Sequence, residues 1–288
     1  MRILLTGASG LLGSHLIPLL ASEHEIFSLG RTPISGTEHL PSVDLSMNWT
    51  SDLLPTKMDT VIHLAQSSRY RDFPDGAEDV FQVNLSSTGK LLEYARRSGA
   101  TRFIAASTGG IYRPGIAPLS EDSEILGPSE LGYYYSTKLA SEMLAATYRP
   151  FMDIHILRIF FMYGLGQRQE MFLPSLISKV RNQQAVFLNG NEGIRVNPVR
   201  AADVARSLIK LIEEGGPETI NVAGPYVASI KEIATHIGAR VAERPRFEII
   251  ESRPDIVADT ECFDALLDQP AVEVIRGLDE LLTIERDW

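Results

Sequence analysis

The chain is poor in cysteine: Cys262 stands alone among 288 residues. One thiol closes no internal disulfide, which excludes a disulfide-stapled scaffold and suits the reducing cytoplasm. Cys262 itself is expected to be a packing residue. Long hydrophobic runs are also missing. No stretch reaches the roughly 18 apolar residues that a membrane span needs. No charged, apolar and cleavable leader precedes the first strand, so no secretory signal is expected either. Positive charge is scarce: 27 Lys and Arg stand against 37 Asp and Glu, a net charge of −10. That balance repels a phosphate backbone and argues against a nucleic-acid partner. Asn48-Trp-Thr50 and Asn84-Leu-Ser86 match glycosylation acceptors. In a cytoplasmic chain both read as chance.

What is present is an ordinary globular composition, 44% apolar and 22% charged. The length suffices for one large α/β domain, or for a large domain plus a smaller one. Short apolar runs predict buried strands at 2–6, 25–29, 60–65, 102–106 and 154–160. Helical patterns alternate with them at 11–21, 85–97, where Gly99 is a C-terminal stop, and 135–148, where Pro150 is the stop. Strands alternating with helices predict a doubly wound parallel α/β sheet covered on both faces. The second half is less regular, with helices at 172–182, 202–214 and 229–238 and strands at 185–188 and 218–222. Ser229 with Glu232 three residues on is a capping-box pattern. No repeat, low-complexity tract or linker interrupts the chain, so a second lobe closely joined to the first is expected.

Three glycines, Gly7, Gly10 and Gly13, lie between the first strand and the first helix. Gly7 permits the sharp turn, Gly10 permits close approach of a pyrophosphate, and Gly13 permits tight packing of the helix. Ser9 and Leu11 complete the turn, and the helix N-terminus offers free N–H groups and a positive dipole end. This strand-turn-helix context predicts a Rossmann-type dinucleotide site. NAD sites place a carboxylate at the end of the second strand to hold the ribose. Here Ser28-Leu-Gly-Arg31 has none, and Arg31 suits a 2′-phosphate, which leans the cofactor from NAD toward NADP. Asp44, followed by Leu45, is a candidate acceptor for the adenine amino group.

Tyr134 and Lys138 are four residues apart and share a helix face. Tyr133 and Tyr135 lack such a lysine and are read as packing or rim residues. A free tyrosine, with a pKa near 10, is a poor base at neutral pH. An ammonium and an oxidised nicotinamide both favour the phenolate. Bringing its pKa near 7 takes roughly 4 kcal/mol of differential stabilisation. Such a phenolate takes a proton from a substrate hydroxyl as hydride leaves. Ser107-Thr108, at the end of the strand 102–106, supplies a hydroxyl to hold the same oxygen.

These motifs, in this order, resemble the extended short-chain dehydrogenase/reductases, in their sugar-nucleotide epimerase/dehydratase branch. The resemblance runs along nearly the whole chain. Thr6-Gly-Ala-Ser-Gly-Leu-Leu-Gly13 is similar to that family's dinucleotide fingerprint, and His63-Leu64-Ala65 to the segment running beside the cofactor. Asn84 matches a family asparagine. Ser107-Thr-Gly-Gly-Ile-Tyr112 resembles the family's strand end, which implies that Thr108 is the catalytic hydroxyl beside Tyr134 and Lys138. Leu157-Arg158, Tyr163-Gly164 and Gln167 resemble the passage to the substrate lobe. Gly193-Ile-Arg-Val-Asn197 and Asp203-Val-Ala205 resemble the segment whose arginine, here Arg195, contacts nucleotide phosphates. Arg168 and Arg200 are weaker candidates for that role. His63, in an apolar strand end, is assigned a structural or cofactor-adjacent place.

The resemblance implies a dinucleotide domain at 1–163 and a mainly substrate-binding lobe at 164–288, with 196–224 returning to the first. It also implies a homodimer, formed through the helix at 85–97 and the helix bearing Tyr134. No metal is expected. The family's 4,6-dehydratases carry an Asp-Glu pair after the threonine, where this chain has Gly109 and Gly110, which carry no protons. The glutamate of related decarboxylases is missing from this stretch. So is the cysteine or histidine of enzymes that invert C3 or C5. Hydride transfer at C4 of a nucleotide sugar remains, either as 4-epimerisation or as NADPH-dependent 4-keto reduction. A reductase of small non-nucleotide aldehydes or ketones and a non-catalytic NADP-binding sensor stay open as alternatives.

Overall fold

The computed structural model describes residues 1–115 and 118–284. The chain opens with β1 (Arg2–Thr6), α1 (Leu11–Leu20), β2 (Glu25–Leu29), β3 (Glu38–His39) and β4 (Thr60–His63). It continues through α2 (Ala77–Val80), a π-helical stretch at Phe81–Ser86, α3 (Ser87–Ser98), β5 (Arg102–Thr108), α4 (Gly132–Ala146) and β6 (Asp153–Ile159). Then follow β7 (Met162–Tyr163), α5 (Phe172–Arg181), β8 (Ala185–Asn189), β9 (Arg195–Val196), β10 (Val199–Arg200) and α6 (Ala201–Glu213). The last are β11 (Thr219–Val222), β12 (Ala228–Ser229), α7 (Ile230–Val241), β13 (Arg246–Ile250), α8 (Glu261–Asp264) and α9 (Val274–Ile284). No helix among the described residues is long and apolar enough to cross a membrane.

Seven strands form the main sheet in the order β11-β6-β5-β4-β1-β2-β3. Each neighbouring pair from β3 to β6 is parallel, the doubly wound arrangement predicted from the alternating pattern. Ile3, Leu4 and Leu5 of β1 and Val61 and Ile62 of β4 are fully buried, as central parallel strands require. Strand order reverses between β1 and β4, so their carboxyl ends open a crevice suited to a ligand. Thr6 lies opposite His63 there.

Two compact units are present. The first comprises 1–111, 124–159 and 205–220; the second comprises 112–123, 160–204 and 221–288. In the second, α5 and α7 bury Leu173, Leu176, Ile177, Ile233 and Ile237 together with Val186 and Leu188 of β8. β8 pairs in parallel with β13. Strand β13 was not foreseen because four of its five residues are exposed, which leaves no hydrophobic alternation to read.

Several boundaries differ from expectation for local reasons. β4 ends at His63 rather than residue 65: the Leu64 amide still donates to Thr6 O at 3.2 Å, but β1 turns away at Gly7, φ 74°, and the Ala65 amide finds the Thr6 hydroxyl at 3.3 Å in place of a backbone carbonyl. The predicted helix at 85–97 is the last part of a helical run from Ala77 to Ser98. The π-helical residues shift its side-chain register, which breaks the 3.6-residue pattern upstream. Gly99 ends it in the left-handed conformation at φ 76°. α4 ends at Ala146, four residues before Pro150, so the proline is not its stop. Ser229 caps α7, accepting the Glu232 amide at 3.1 Å.

Candidate active site and dinucleotide cradle

The cradle is built where β1 turns into α1. Gly7 has φ 74°, and a Cβ there would come within 2.7 Å of the Ala65 amide nitrogen. Leu64 and Ala65 therefore lie directly against the turn. A Cβ on Gly13 would fall 2.6 Å from Ala8 O and closer still to Gly7 O. The tight contact that requires Gly13 is thus with the turn's own backbone. Gly10 differs: a Cβ there would meet Gly7 O alone, at 3.1 Å. It is the exposed N-cap of α1, and no side chain caps the helix. Ser9 is exposed beside it, Leu11 is half-buried and no acidic residue occupies the first turn. A diphosphate fits such a site, since uncapped N–H groups and the helix dipole both favour an anion.

Thr6 braces the cradle from below. Its hydroxyl accepts the Ala65 amide at 3.3 Å and lies 2.7 Å from Nδ1 of His63. Burial, with the charge of Lys138, lowers the His63 pKa to about 3. The imidazole is thus held neutral and bonded to the threonine hydroxyl. Arg31 is exposed just past β2. Its charge helps to hold the Asp44 carboxyl below its usual range, behind the larger effect of hydrogen bonds from the Ser46 amide and hydroxyl. Asp44 is therefore already turned onto Ser46. Leu45 is 7% exposed, its side chain in the core with Trp49 and Val83.

Alternation along β5 separates two adjacent hydroxyls. Ser107 is buried and donates to Glu142, which holds Arg158 through contacts of 2.8 and 3.1 Å to Oε2. Thr108, at the strand end, is half-buried and accepts the Gly110 amide at 3.1 Å. Sequence reasoning missed the Ser107–Glu142–Arg158 network. One signal was available: Glu142 follows Lys138 by one helical turn.

Helix α4 begins three residues earlier than the predicted start at 135, which brings Tyr134 into the same helix as Lys138. Lys138 is 4% exposed, and its ammonium donates to Ala106 O at 2.9 Å. Burial lowers its pKa to about 8, against a smaller raising effect of Glu142. Tyr134 donates to Gln66 Oε1 at 2.8 Å, a partner with no sequence signal. Burial pushes the Tyr134 phenol above its ordinary range, and Tyr135 and Tyr70 add to that. The protein alone therefore holds a neutral phenol, a proton donor, and an added positive charge is needed to turn it into a base. No hydrogen bond joins Thr108, Tyr134 and Lys138 to one another among the described residues. Tyr133 stacks on Phe73 at 5.0 Å between ring centroids. Tyr135 lies over Gly110.

Asn84 ties the loop after β4 to α4. Its Oδ1 accepts the Ser67 amide, and its Nδ2 donates to Thr137 Oγ1, both at 3.2 Å. At 2% exposure it offers no glycosylation acceptor. Asn48 is exposed.

In the second unit, Arg195 is exposed. Its backbone amide donates to Asp255 at 2.7 Å, while its guanidinium has no hydrogen-bond or ion-pair partner among the described residues. Arg168 is also exposed. Arg200 pairs with Asp203 at 3.0 Å and Glu280 at 2.6 Å.

Comparison with known proteins gives a consistent pattern. The model of the NAD dependent epimerase/dehydratase family matches residues 3–223. The GDP-6-deoxy-D-talose 4-dehydrogenase of Aggregatibacter actinomycetemcomitans is 29% identical over 265 residues, covering 89% of this chain and 86% of that protein. The UDP-glucuronate 4-epimerase of Thermodesulfobacterium geofontis is 28% identical over 226 residues, covering 76% of this chain and 69% of that one. The solved UDP-glucuronic acid 4-epimerase from Bacillus cereus, in complex with UDP-glucuronic acid and NAD, superposes with a TM-score of 0.84. It is 25% identical, with both chains covered in full.

Proposed function

The chain belongs to the NAD dependent epimerase/dehydratase family, and from that premise we propose that it transfers hydride at C4 of a nucleotide-activated sugar. The observation that carries the reading is a buried Lys138 on the same helix as Tyr134, with Thr108 at the end of the adjoining strand. Two relatives named for a 4-dehydrogenase and a 4-epimerase support C4 as the reacting position. Gly109 and Gly110 support the absence of a further acid or base.

In this reading the turn from Gly7 to Gly13 and the start of α1 hold the cofactor diphosphate. Leu64 and Ala65 would line its path, and Asp44, with the backbone at the core residue Leu45, would flank the adenine. The bound cofactor supplies hydride to a ketone or accepts it from a carbinol. Thr108 holds the reacting oxygen, and Tyr134 gives or takes its proton. Lys138 provides the cation that eases phenolate formation. Arg195 pairs with the nucleotide phosphates. The Bacillus cereus neighbour was solved with NAD; Arg31, with no carboxylate at the end of β2, supports NADP here. Exposed Phe81, Met143 and Leu144, on the helical run from Ala77 and on α4, support a homodimer through those helices.

The test is an assay of UDP-, GDP- and dTDP-hexoses and their 4-keto forms with NAD and with NADP. Inversion at C4 or nicotinamide oxidation coupled to 4-keto reduction is expected. Turnover of small carbonyl compounds with no response to any nucleotide sugar would overturn the reading. So would dinucleotide binding with no turnover in either panel.

A further inference from the structure

Gly110 and Tyr135 share one space. A Cβ built on Gly110 would lie 2.6 Å from Cζ of Tyr135 and 2.8 Å from its hydroxyl oxygen, distances that real Cβ atoms do not show. Any side chain at 110 would have to displace the phenol. The pair lies beside the reacting groups: the Gly110 amide donates to Thr108 Oγ1 at 3.1 Å, and the Tyr135 ring centroid is 5.2 Å from that of Tyr134. Tyr70 packs on Tyr134 at 5.1 Å between ring centroids and lies close enough to Tyr135 to act on its phenol as well.

The Tyr135 hydroxyl has no hydrogen-bond partner among the described residues, and the side chain is only half-buried. An accessible phenol without a partner, next to Thr108 and Tyr134, is suited to donate to a ligand oxygen. Neighbouring hydroxyls on a sugar ring are roughly 3 Å apart, within the reach of adjacent hydrogen-bond donors. We propose that Tyr135 is a specificity-determining residue whose phenol donates to the substrate hydroxyl next to the reacting carbon, from space that only glycine at 110 leaves open. The proposal rests on the reading above of a nucleotide-sugar substrate. It adds a third hydroxyl to Thr108 and Tyr134 and gives Gly110 a steric reason.

Two measurements test it. The first is a double-mutant cycle in urea unfolding with Gly110→Ala, Tyr135→Ala and the double variant. Gly110→Ala alone should lower the folding constant at least about tenfold, and Tyr135→Ala in the same chain should recover most of that loss. Additive losses would overturn the shared-space geometry. The second compares Tyr135→Phe with wild type on the nucleotide sugar that wild type turns over, and on its analogue lacking the adjacent hydroxyl. Tyr135→Phe keeps the ring and should retain fold and dinucleotide affinity. It should lower kcat/KM for the full substrate about tenfold to a hundredfold and leave the deoxy analogue unaffected. Equal kcat/KM in Tyr135→Phe and wild type on the full substrate would overturn this assignment alone. A wild type inert toward every nucleotide sugar would overturn the function reading and this assignment with it.

Discussion

The ammonium of Lys138 donates to the carbonyl oxygen of Ala106 at 2.9 Å, from a side chain that burial has brought to a pKa of about 8. The charge is thus present at neutral pH and lost in mild alkali. If it supports the chemistry, kcat/KM should fall above about pH 8. Lys138→Arg, which keeps its charge, should move that fall to higher pH even if its maximum is lower. A fall at the same pH in both proteins would assign it to another group. Stability should move the opposite way. The folded pKa is below the unfolded one, so between about 8 and 10.5 the unfolded chain binds more protons. The Lys138 contribution to stability therefore rises with pH across that window.

Tyr134→Phe should lower kcat by about a hundredfold to ten-thousandfold, the usual range for loss of a positioned acid–base group. Its hydroxyl bonds Gln66 in the protein, so the fold should lose one hydrogen bond at most. Dinucleotide affinity measured by calorimetry should stay within about threefold, because the diphosphate cradle lies elsewhere on β1 and α1. Wild-type turnover in this variant would remove Tyr134 from the mechanism.

Gly10 and Gly13 should respond differently to alanine. At Gly13 the new methyl meets backbone oxygens that cannot retreat, so Gly13→Ala should destabilise the fold by about 1–3 kcal/mol in urea. At Gly10 the methyl meets a single backbone oxygen at 3.1 Å, a milder squeeze than at Gly13, but it enters the path of a diphosphate. Gly10→Ala should lose less stability than Gly13→Ala while its dinucleotide Kd rises at least about tenfold. A Gly10→Ala protein that binds normally would place the diphosphate away from this turn.

That contrast shows what the sequence made legible. The roles of Gly7, Gly10 and Gly13 follow from local sterics, so strand, turn and helix could be read from one eight-residue window. Thr108 was singled out over Ser107 by family resemblance alone; the expected strand stopped at 106, and the alternation that sends Ser107 the other way needed the strand's true end at Thr108. Glu142 and Arg158 are 16 residues apart, and their pairing depends on how α4 lies on β6, which no local pattern encodes. Gln66 and Tyr134, 68 residues apart, are similarly unreadable. Gly110 was legible as an absence of chemistry; its steric relation to Tyr135 required coordinates.

Arg31 is exposed just past β2, where its charge is free to meet a 2′-phosphate as well as Asp44. A charge-assisted hydrogen bond contributes about 1.5–3 kcal/mol, or roughly tenfold to a hundredfold in affinity. Arg31→Ala should weaken NADP by that factor and change NAD by no more than about threefold. Titration of both dinucleotides against both proteins checks it. Equal weakening, or none, would remove the basis for NADP.

Glu142 is expected to act on stability and on Lys138 through the same charge. Its carboxylate holds the buried Arg158 guanidinium and accepts from Ser107. Glu142→Gln keeps the shape but removes the carboxylate charge facing that buried cation, and breaking such a buried pair costs about 3–5 kcal/mol, measurable by denaturant unfolding. Replacing both partners, as Glu142→Met with Arg158→Met, should recover most of the loss, because the buried cation is removed together with its carboxylate. The effect on Lys138 should not recover. Glu142 raises the lysine's pKa, so without it the alkaline fall in kcat/KM should move below about pH 8 in the single and double variants alike. Recovery of both properties in the double variant would mean that Glu142 acts on Lys138 through packing and not through its charge.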